Sequence, residues 1–537
     1  VDASRVTKEL EQKQELRPFQ GRATPGLPLQ DTPPEAEGIT FSLSRISIKG
    51  STVYKNGAFR PLYADKIGRE VSLAFIFNLA NAITTQYRND GYILSRAIVP
   101  AQEIRDGRVT IEIVEGYVDD IVIRGSDIPA AERIYNYAEN IRGEKPLHIT
   151  RLERYLLLIR DIPGYSVESL LQPAAEGLGA ARLVLDVEYR PYAAAFGIDN
   201  FGTKYLGPTQ GTLRLQANSK FTSPGDTTVF RYIGTDTIEP FSHQNLRYMD
   251  LSHSILIGPE GSTMTVGVTR ALSFPTNSLQ ALGVKSRSSV LTVEFNHPFI
   301  RSRRINLTGG LQMAGINTEN RLAGNIVADD RLRVLRLRGT FDAVDAWRGI
   351  SQVTLEMSQG LNTLGASDNE SPELSRADGR ADFTKFNMDA ARLQHIYGGF
   401  NLYTAVAGQF TSDRLLAAEE FGLGGSGIGR GYDPSEITGD SGIAGKAELQ
   451  YSHAPQMQFL QDYQLFAFYD IGKVFQSRGK DSPDVSIASA GIGTRFNLTD
   501  TMSGSFTVAK PLTKDVAAHE GDSARSPRAF FSLSIRY

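Results

Sequence analysis

The residues best placed to do chemistry lie on one glycine-rich loop and on a strand that follows it. The loop reads Glu419-Glu420-Phe421-Gly422-Leu423-Gly424-Gly425-Ser426-Gly427-Ile428-Gly429-Arg430-Gly431-Tyr432. Gly422, Gly424 and Gly427 formally satisfy G-x-G-x-x-G. A dinucleotide site needs that loop to open a helix inside a βαβ unit, and no helical pattern follows it. What remains is Arg430, a planar cation whose neighbours Gly429 and Gly431 carry no side-chain bulk. Further on, Leu465, Ala467, Tyr469 and Ile471 alternate with Phe466, Phe468, Asp470 and Gly472. Alternation therefore puts Asp470 on the polar face of a strand, with space beside it at Gly472. If the loop folds back, Arg430 can grip Asp470 with its two-pronged fork. If it does not, both are ordinary solvated charges, and the pattern alone favours that reading, since most charges are merely solvated.

Other chemistries find no support. There is no G-x-x-x-x-G-K-[ST] phosphate loop and no G-x-S-x-G elbow. Cys is absent, and His148, His243, His253, His297, His395, His453 and His519 show no metal-ligand spacing. His243 and His253 fit a pore lining or a membrane interface. No enzyme activity, cofactor or metal is expected.

The elements that must hold Arg430 and Asp470 are strands. The final residues set Ala529, Phe531, Leu533, Ile535 and Tyr537 against Ser532, Ser534 and Arg536, and this alternation recurs from Ala193 onward. Gly211–Asn218 and Lys446–Ser452 repeat it, the second placing Lys446, Glu448 and Gln450 on the polar face. About sixteen segments of roughly ten residues suit a transmembrane barrel, apolar outside and polar inside. The phase slips in Arg331–Arg338 between Val334 and Leu335, which predicts a β-bulge there or a displaced register. A barrel of that size leaves a water-filled lumen wide enough for an unfolded chain.

Ahead of the barrel, a mixed α/β pattern occurs twice between Phe41 and Arg190. Each copy is expected to run β-α-α-β-β over roughly 75 residues. Similar phrases follow the long helices: Tyr87-Arg88-Asn89-Asp90-Gly91-Tyr92, and Ile159-Arg160-Asp161-Ile162-Pro163-Gly164-Tyr165. Asp2 to Leu16 has helix-forming composition with only Val6 and Leu10 as an apolar pair, so it should sit in water or a hydrated cavity. Pro18 closes it, and Pro25, Pro28, Pro33 and Pro34 make an extended linker.

The bulk numbers agree. No stretch approaches the roughly 20 apolar residues of a spanning helix, and a mean hydropathy of −0.24 is what a barrel with a polar lumen gives. A net charge of −3 argues against a nucleic-acid surface. The chain opens on Val1, which is read as a mature form with its export signal removed.

Glu420-Phe421-Gly422-Leu423-Gly424-Gly425 with Arg430-Gly431-Tyr432 resembles the lumen loop of two-partner secretion transporters, the TpsB family. Phe468-x-Asp470-x-Gly472 is similar to that family's inner-wall motif. The paired modules resemble its POTRA domains, and the first helix resembles its plug. The resemblance covers essentially the whole chain and implies a β-barrel membrane protein of about sixteen antiparallel strands in the bacterial outer membrane. It implies a plug helix at 1–17, a Pro/Gly-rich linker at 18–40, POTRA modules at 41–118 and 119–190, and a barrel at 191–537 with a lumen loop at 412–443. It further implies pairing of Arg430 with Asp470, and export of a large, unfolded, secreted partner protein without ATP. The expected partners are that exoprotein and the outer-membrane lipids, with no nucleic acid, and the barrel is expected to be monomeric. An insertase for other barrels and a passive porin are the alternatives; two modules and a plug-like helix favour the translocator. Two departures from the family pattern stand: Gly429 where Val is usual, and Tyr537 where Phe is commoner.

Overall fold

The computed structural model describes residues 2–10, 30–55, 57–174, 177–235, 245–455, 457, 459–477, 484–517 and 525–537. The chain divides into two compact units, one holding 20–190 with 301–303 and the other holding the first residues together with the rest of the chain.

The first unit contains two three-stranded sheets. In one, Arg45–Lys49 pairs in parallel with Arg108–Val114, which pairs antiparallel with Arg96–Ile98. In the other, Tyr117–Arg124 pairs in parallel with Ala180–Tyr189, and Tyr165–Pro173 lies antiparallel on the far side. The long helix of the first module spans Leu73–Asn89, opening where the Ser72 hydroxyl accepts the Phe75 N–H at 3.3 Å. Ile76, Leu79, Ala80, Ile83 and Tyr87 recur at helical spacing and pack on Ile46, Val109, Ile111 and Ile113. Each such side chain gains about 1.5–3 kcal/mol on burial. The repeated phrases end helices: Gly91 and Gly164 take φ of +93° and +80°, where a side chain would be strained. The expectation of two helices per module holds only for the second copy, which has Ala131–Arg142 and Ile149–Arg160. In the first, short turns at Arg60–Leu62 and Ala64–Lys66 replace a helix, because Gly57, Pro61 and Gly68 interrupt it. The first strand also differs from expectation, breaking into Thr40–Ser42 and Arg45–Lys49.

The second unit is a closed antiparallel barrel of sixteen strands. They are β1 (Tyr192–Asp199), β2 (Gln210–Asn218), β3 (Thr227–Thr235), β4 (Leu246–Ile257), β5 (Ser262–Ser273), β6 (Lys285–Arg301), β7 (Ile305–Leu322) and β8 (Asn325–Val344). Then follow β9 (Gly349–Gly360), β10 (Thr384–Tyr397), β11 (Phe400–Phe410), β12 (Ser441–His453), β13 (Asp462–Phe475), β14 (Val485–Asn497), β15 (Met502–Pro511) and β16 (Arg528–Arg536). β16 pairs with β1 and closes the cylinder, leaving no strand edge. Tyr192 and Tyr537 mark its proximal end. Outward residues are large and apolar, as with Leu291, Val293 and Phe295 on β6 or Leu335 and Leu337 on β8.

Most strands run somewhat beyond the expected ten residues, and β6, β7 and β8 run furthest, with 17, 18 and 20. The bulge expected between Val334 and Leu335 is absent. Val334 pairs with Ala314 and Leu335 with Met313 in unbroken register, and the irregularity of this pair falls at Asn320/Arg321. The apparent slip has another cause. Leu332 and Val334 face inward yet are apolar, because they pack on Leu374, Phe383, Leu415 and Leu416 from two loops that fold into the barrel.

Helix α1 (Ala3–Leu10) also lies inside this unit; the rest of the expected first helix, 11–17, and most of the linker fall outside the described residues. The helix is less exposed than its composition suggests. Ala3 is fully buried with Ile233, Tyr248 and Ala271, and Leu10 packs beside them.

Candidate functional site: a loop clamped to the barrel wall

The glycine-rich loop does not open a helix. Phe421–Leu423 pairs with Ile437–Gly439 as a short hairpin, and its tip reaches the inner face of β12 to β15. Phe421, Leu423, Tyr432 and Ile437 bury themselves against Ala444, Val474 and Ile487. Gly472 makes this possible: a Cβ there would lie 2.6 Å from the Leu423 side chain.

At the tip, Arg430 meets Asp470. Nε donates to Oδ2 at 3.0 Å and Nη2 to Oδ1 at 2.9 Å, the two-pronged arrangement. The backbone N–H groups of Gly429 and Arg430 add two more bonds to Oδ2, at 3.0 and 3.1 Å. Arg430 is 8% exposed and Asp470 not at all, so water screens little of this. Hydrogen bonds to a charged group contribute about 1.5–3 kcal/mol each in such settings.

Two further residues complete the cluster. Glu448 on β12 accepts from Arg430 Nη1 at 2.5 Å and from Arg495 on β14 at 2.6 Å. Two cations thus face two carboxylates, which lets all four charges leave water together. Phe468 lies 3.5 Å beneath the Arg430 guanidinium and Phe466 4.1 Å from that of Arg495. The rings fit because Phe468 pairs with Gly491 and Phe466 with Gly493 in the next strand. A Cβ at either glycine would come within 2.7 Å of the facing ring.

Gly431 and Tyr432 anchor the tip from the other side. A Cβ on Gly431 would meet the β15 backbone at Pro511 and Lys510, at 2.9 and 3.0 Å. The Tyr432 hydroxyl donates to the Ala488 carbonyl at 3.2 Å and accepts the Lys514 N–H at 3.1 Å. Gly429, where the family pattern usually has Val, fits this geometry. Its φ of +91° is required for its N–H to reach Asp470, and Tyr432 N–H returns to its carbonyl at 2.9 Å. We expect Gly429→Val to be strained by about 1–3 kcal/mol. Loss of clamped loop should then lower activity by about fivefold or more; wild-type activity in this variant would contradict the tip geometry.

The loop base forms a second charged cluster. Glu419 pairs with Arg336 at 2.6 Å and Lys385 at 2.5 Å, while Glu420 pairs with Arg5 of α1 and with Arg376 at 3.3 Å. Lys8 of α1 donates to the Glu420 carbonyl at 2.6 Å. Glu420 therefore joins the helix to the loop.

Sequence reasoning named Arg430, Gly431, Tyr432, Phe468, Asp470 and Gly472, and all six lie in this one assembly. It placed Glu448 on the polar face of its strand without assigning it to the site, and it did not name Arg495. The readable signal was Gly491-x-Gly493 at the same spacing as Phe466-x-Phe468, followed by Arg495 in inward phase. His253 bonds Thr228 at 2.8 Å and Thr222 at 2.9 Å near the proximal rim, while His243 lies outside the described residues. Among the described residues, no group of His, Asp and Glu is arranged to hold a metal.

A closed barrel, apolar outside, with an inner loop and helix and with α/β modules ahead of it, defines an outer-membrane transporter with POTRA modules in the periplasm. The pattern described as "Haemolysin secretion/activation protein ShlB/FhaC/HecB" matches residues 179–496, more than half of the chain, and a ShlB-type POTRA domain matches 41–116. The chain belongs to that haemolysin secretion/activation family, whose members are outer-membrane transporters for partner proteins. It is 24% identical to the heme/hemopexin transporter protein HuxB of Haemophilus influenzae, over 96% of this chain and 92% of that one. It is 23% identical to the outer membrane transporter CdiB of Dickeya dadantii, over 89% and 84%. The solved structure of CdiB from Escherichia coli has the same fold, with a TM-score of 0.73 at 21% identity, covering 95% and 94% of the two chains.

Proposed function

We propose that this chain captures one large secreted partner in unfolded form through its periplasmic modules and passes it through the barrel without ATP. The observation that carries this reading is what fills the lumen: a short helix held largely by polar contacts, and a loop clamped to the wall by an apolar cluster and the Arg430 charge network. A passive pore needs neither modules nor such a loop. An assembly factor for other barrels would use the modules but has no need of a helix docked inside.

Capture would use strand addition at a sheet edge, where backbone groups bind an extended client and alternate side chains select it. Tyr165–Pro173 is such an edge, nine residues long, with Leu170 half-exposed along it. A purified Phe41–Arg190 fragment, which has its own cores, should bind the unfolded amino-terminal region of the client at micromolar strength or weaker, as suits handover. Equal binding of unrelated unfolded chains would contradict selective capture.

A further inference from the structure

Charge on the outer wall is distributed unevenly at the distal end, the cell-surface side. On β4, Arg247 stands immediately above outward Met249 and Leu251. On β5, Arg270 stands immediately above Val268, and on β8 Arg333 stands immediately above Leu335. On β6, Arg287 and Lys285 continue the outward face above Leu291 and Ser289. Register joins β4, β5 and β6 directly, for Arg270 pairs with Met249 and Leu272 pairs with both Arg247 and Arg287; Arg333 lies two strands further on, paired with Gly315 of β7. On β4, β5, β6 and β8 basic residues lie near the upper boundary of the apolar belt, while β7 presents Gly315, Asn317 and Glu319 there.

One acid lies within electrostatic reach of this arc: Glu319 on β7 interacts with Arg287. Glu319 and Asp329 share the outer face but are held by Arg321 at 2.7 Å and Arg331 at 2.8 Å. Arg333 donates to the Leu364 and Leu332 carbonyls and to the Asn317 amide oxygen, all neutral acceptors. Among the described residues no ion pair reaches Arg247, Arg270, Lys285 or Arg287, and Arg247 Nε is buried with no hydrogen-bond partner. Elsewhere on the distal outer wall, the described strands carry Lys473, paired with Asp484 at 3.0 Å, and Lys510. The chain as a whole is net negative, at −3, so the arc is no reflection of composition.

Whatever faces this arc lies in the membrane plane, because the side chains project from transmembrane strands at the level where hydrocarbon gives way to headgroups. Guanidinium forks match phosphate oxygens in shape and charge. We propose that the outer face of β4 to β8 is a binding site for the phosphate groups of an anionic outer-leaflet lipid, a phosphorylated glycolipid. Leu291, Met313 and Leu335 beneath it contact the acyl chains.

The test uses the full chain in detergent micelles doped with lipid A bearing both phosphates or with the same lipid dephosphorylated, and counts bound lipid by native mass spectrometry. Retention of the phosphorylated lipid should exceed that of its dephosphorylated form by about tenfold, as fits several basic contacts. The variant R247Q/R270Q/R287Q/R333Q should fall to the dephosphorylated level, while Lys510→Gln should not change retention. Equal retention of the two lipids, or undiminished retention by a heat-modifiable four-site variant, overturns the proposal. If the four-site variant does not form a barrel, the wild-type comparison of the two lipids decides alone.

Discussion

Arg430→Ala should nearly abolish export of the partner protein while the barrel still inserts and remains heat-modifiable on gels. The substitution removes the only group that bridges Asp470 and Glu448 in this cluster, together with its stacking on Phe468. Removing one partner of a buried pair costs about 3–5 kcal/mol, because the remaining charge stays desolvated. Asp470→Ala should be slightly milder, since Arg430 keeps Glu448. Arg430→Lys should not restore export: an ammonium has no fork to span Oδ1, Oδ2 and the second carboxylate. The double variant Arg430→Ala/Asp470→Ala should be little worse than Arg430→Ala alone, as residues of one network are not additive. Additive losses would make them independent solvated charges.

The second large effect concerns the lumen. Deleting Val1–Pro34 should raise ion conductance in planar bilayers and increase antibiotic leakage into cells. Inside the barrel, Ala3 N–H donates to Ser286 at 2.9 Å, Asn320 donates to Asp2 at 2.7 Å, and Arg231 donates to the Leu10 carbonyl at 2.8 Å. With the Arg5–Glu420 pair these hold α1 to the wall and to the loop. The Ala3–Ser286 bond joins neutral groups and is worth about 0.5–1.5 kcal/mol, while those through Asp2 and Arg231 involve a charge and are worth about 1.5–3 kcal/mol each. Arg5→Ala alone removes a pair whose arginine is about a third exposed, worth about 1 kcal/mol after screening. It should open the pore about fivefold more often, a small fraction of the deletion's effect. Unchanged conductance after deletion would mean that α1 is not the plug.

Much of this architecture is legible in the sequence because a barrel forces period-two alternation on every strand. Leu465, Tyr469 and Ile471 against Phe466, Phe468 and Asp470 is enough to orient β13. The clamp is harder to read, since proximity of Arg430 to Asp470 depends on a loop turning inward, which no local pattern records. Glu448 reads as an ordinary lumen residue, and Arg495 does not stand out at all, because their significance arises only when three strands are laid in register. The apolar inward pair Leu332 and Val334 misled for a related reason: alternation assumes a wet lumen, and two loops make that part of it dry. The basic arc on β4 to β8 was invisible for the opposite reason, since each arginine in it is unremarkable until the belt boundary is drawn.

The central claim is export of a polypeptide through this barrel, and deletion of the chain in its own cell tests it most directly. The readout is the appearance outside the cell of a large secreted partner protein. Export should stop, should return with the wild-type chain and should not return with Arg430→Ala. Undiminished export from cells lacking the chain would contradict the account.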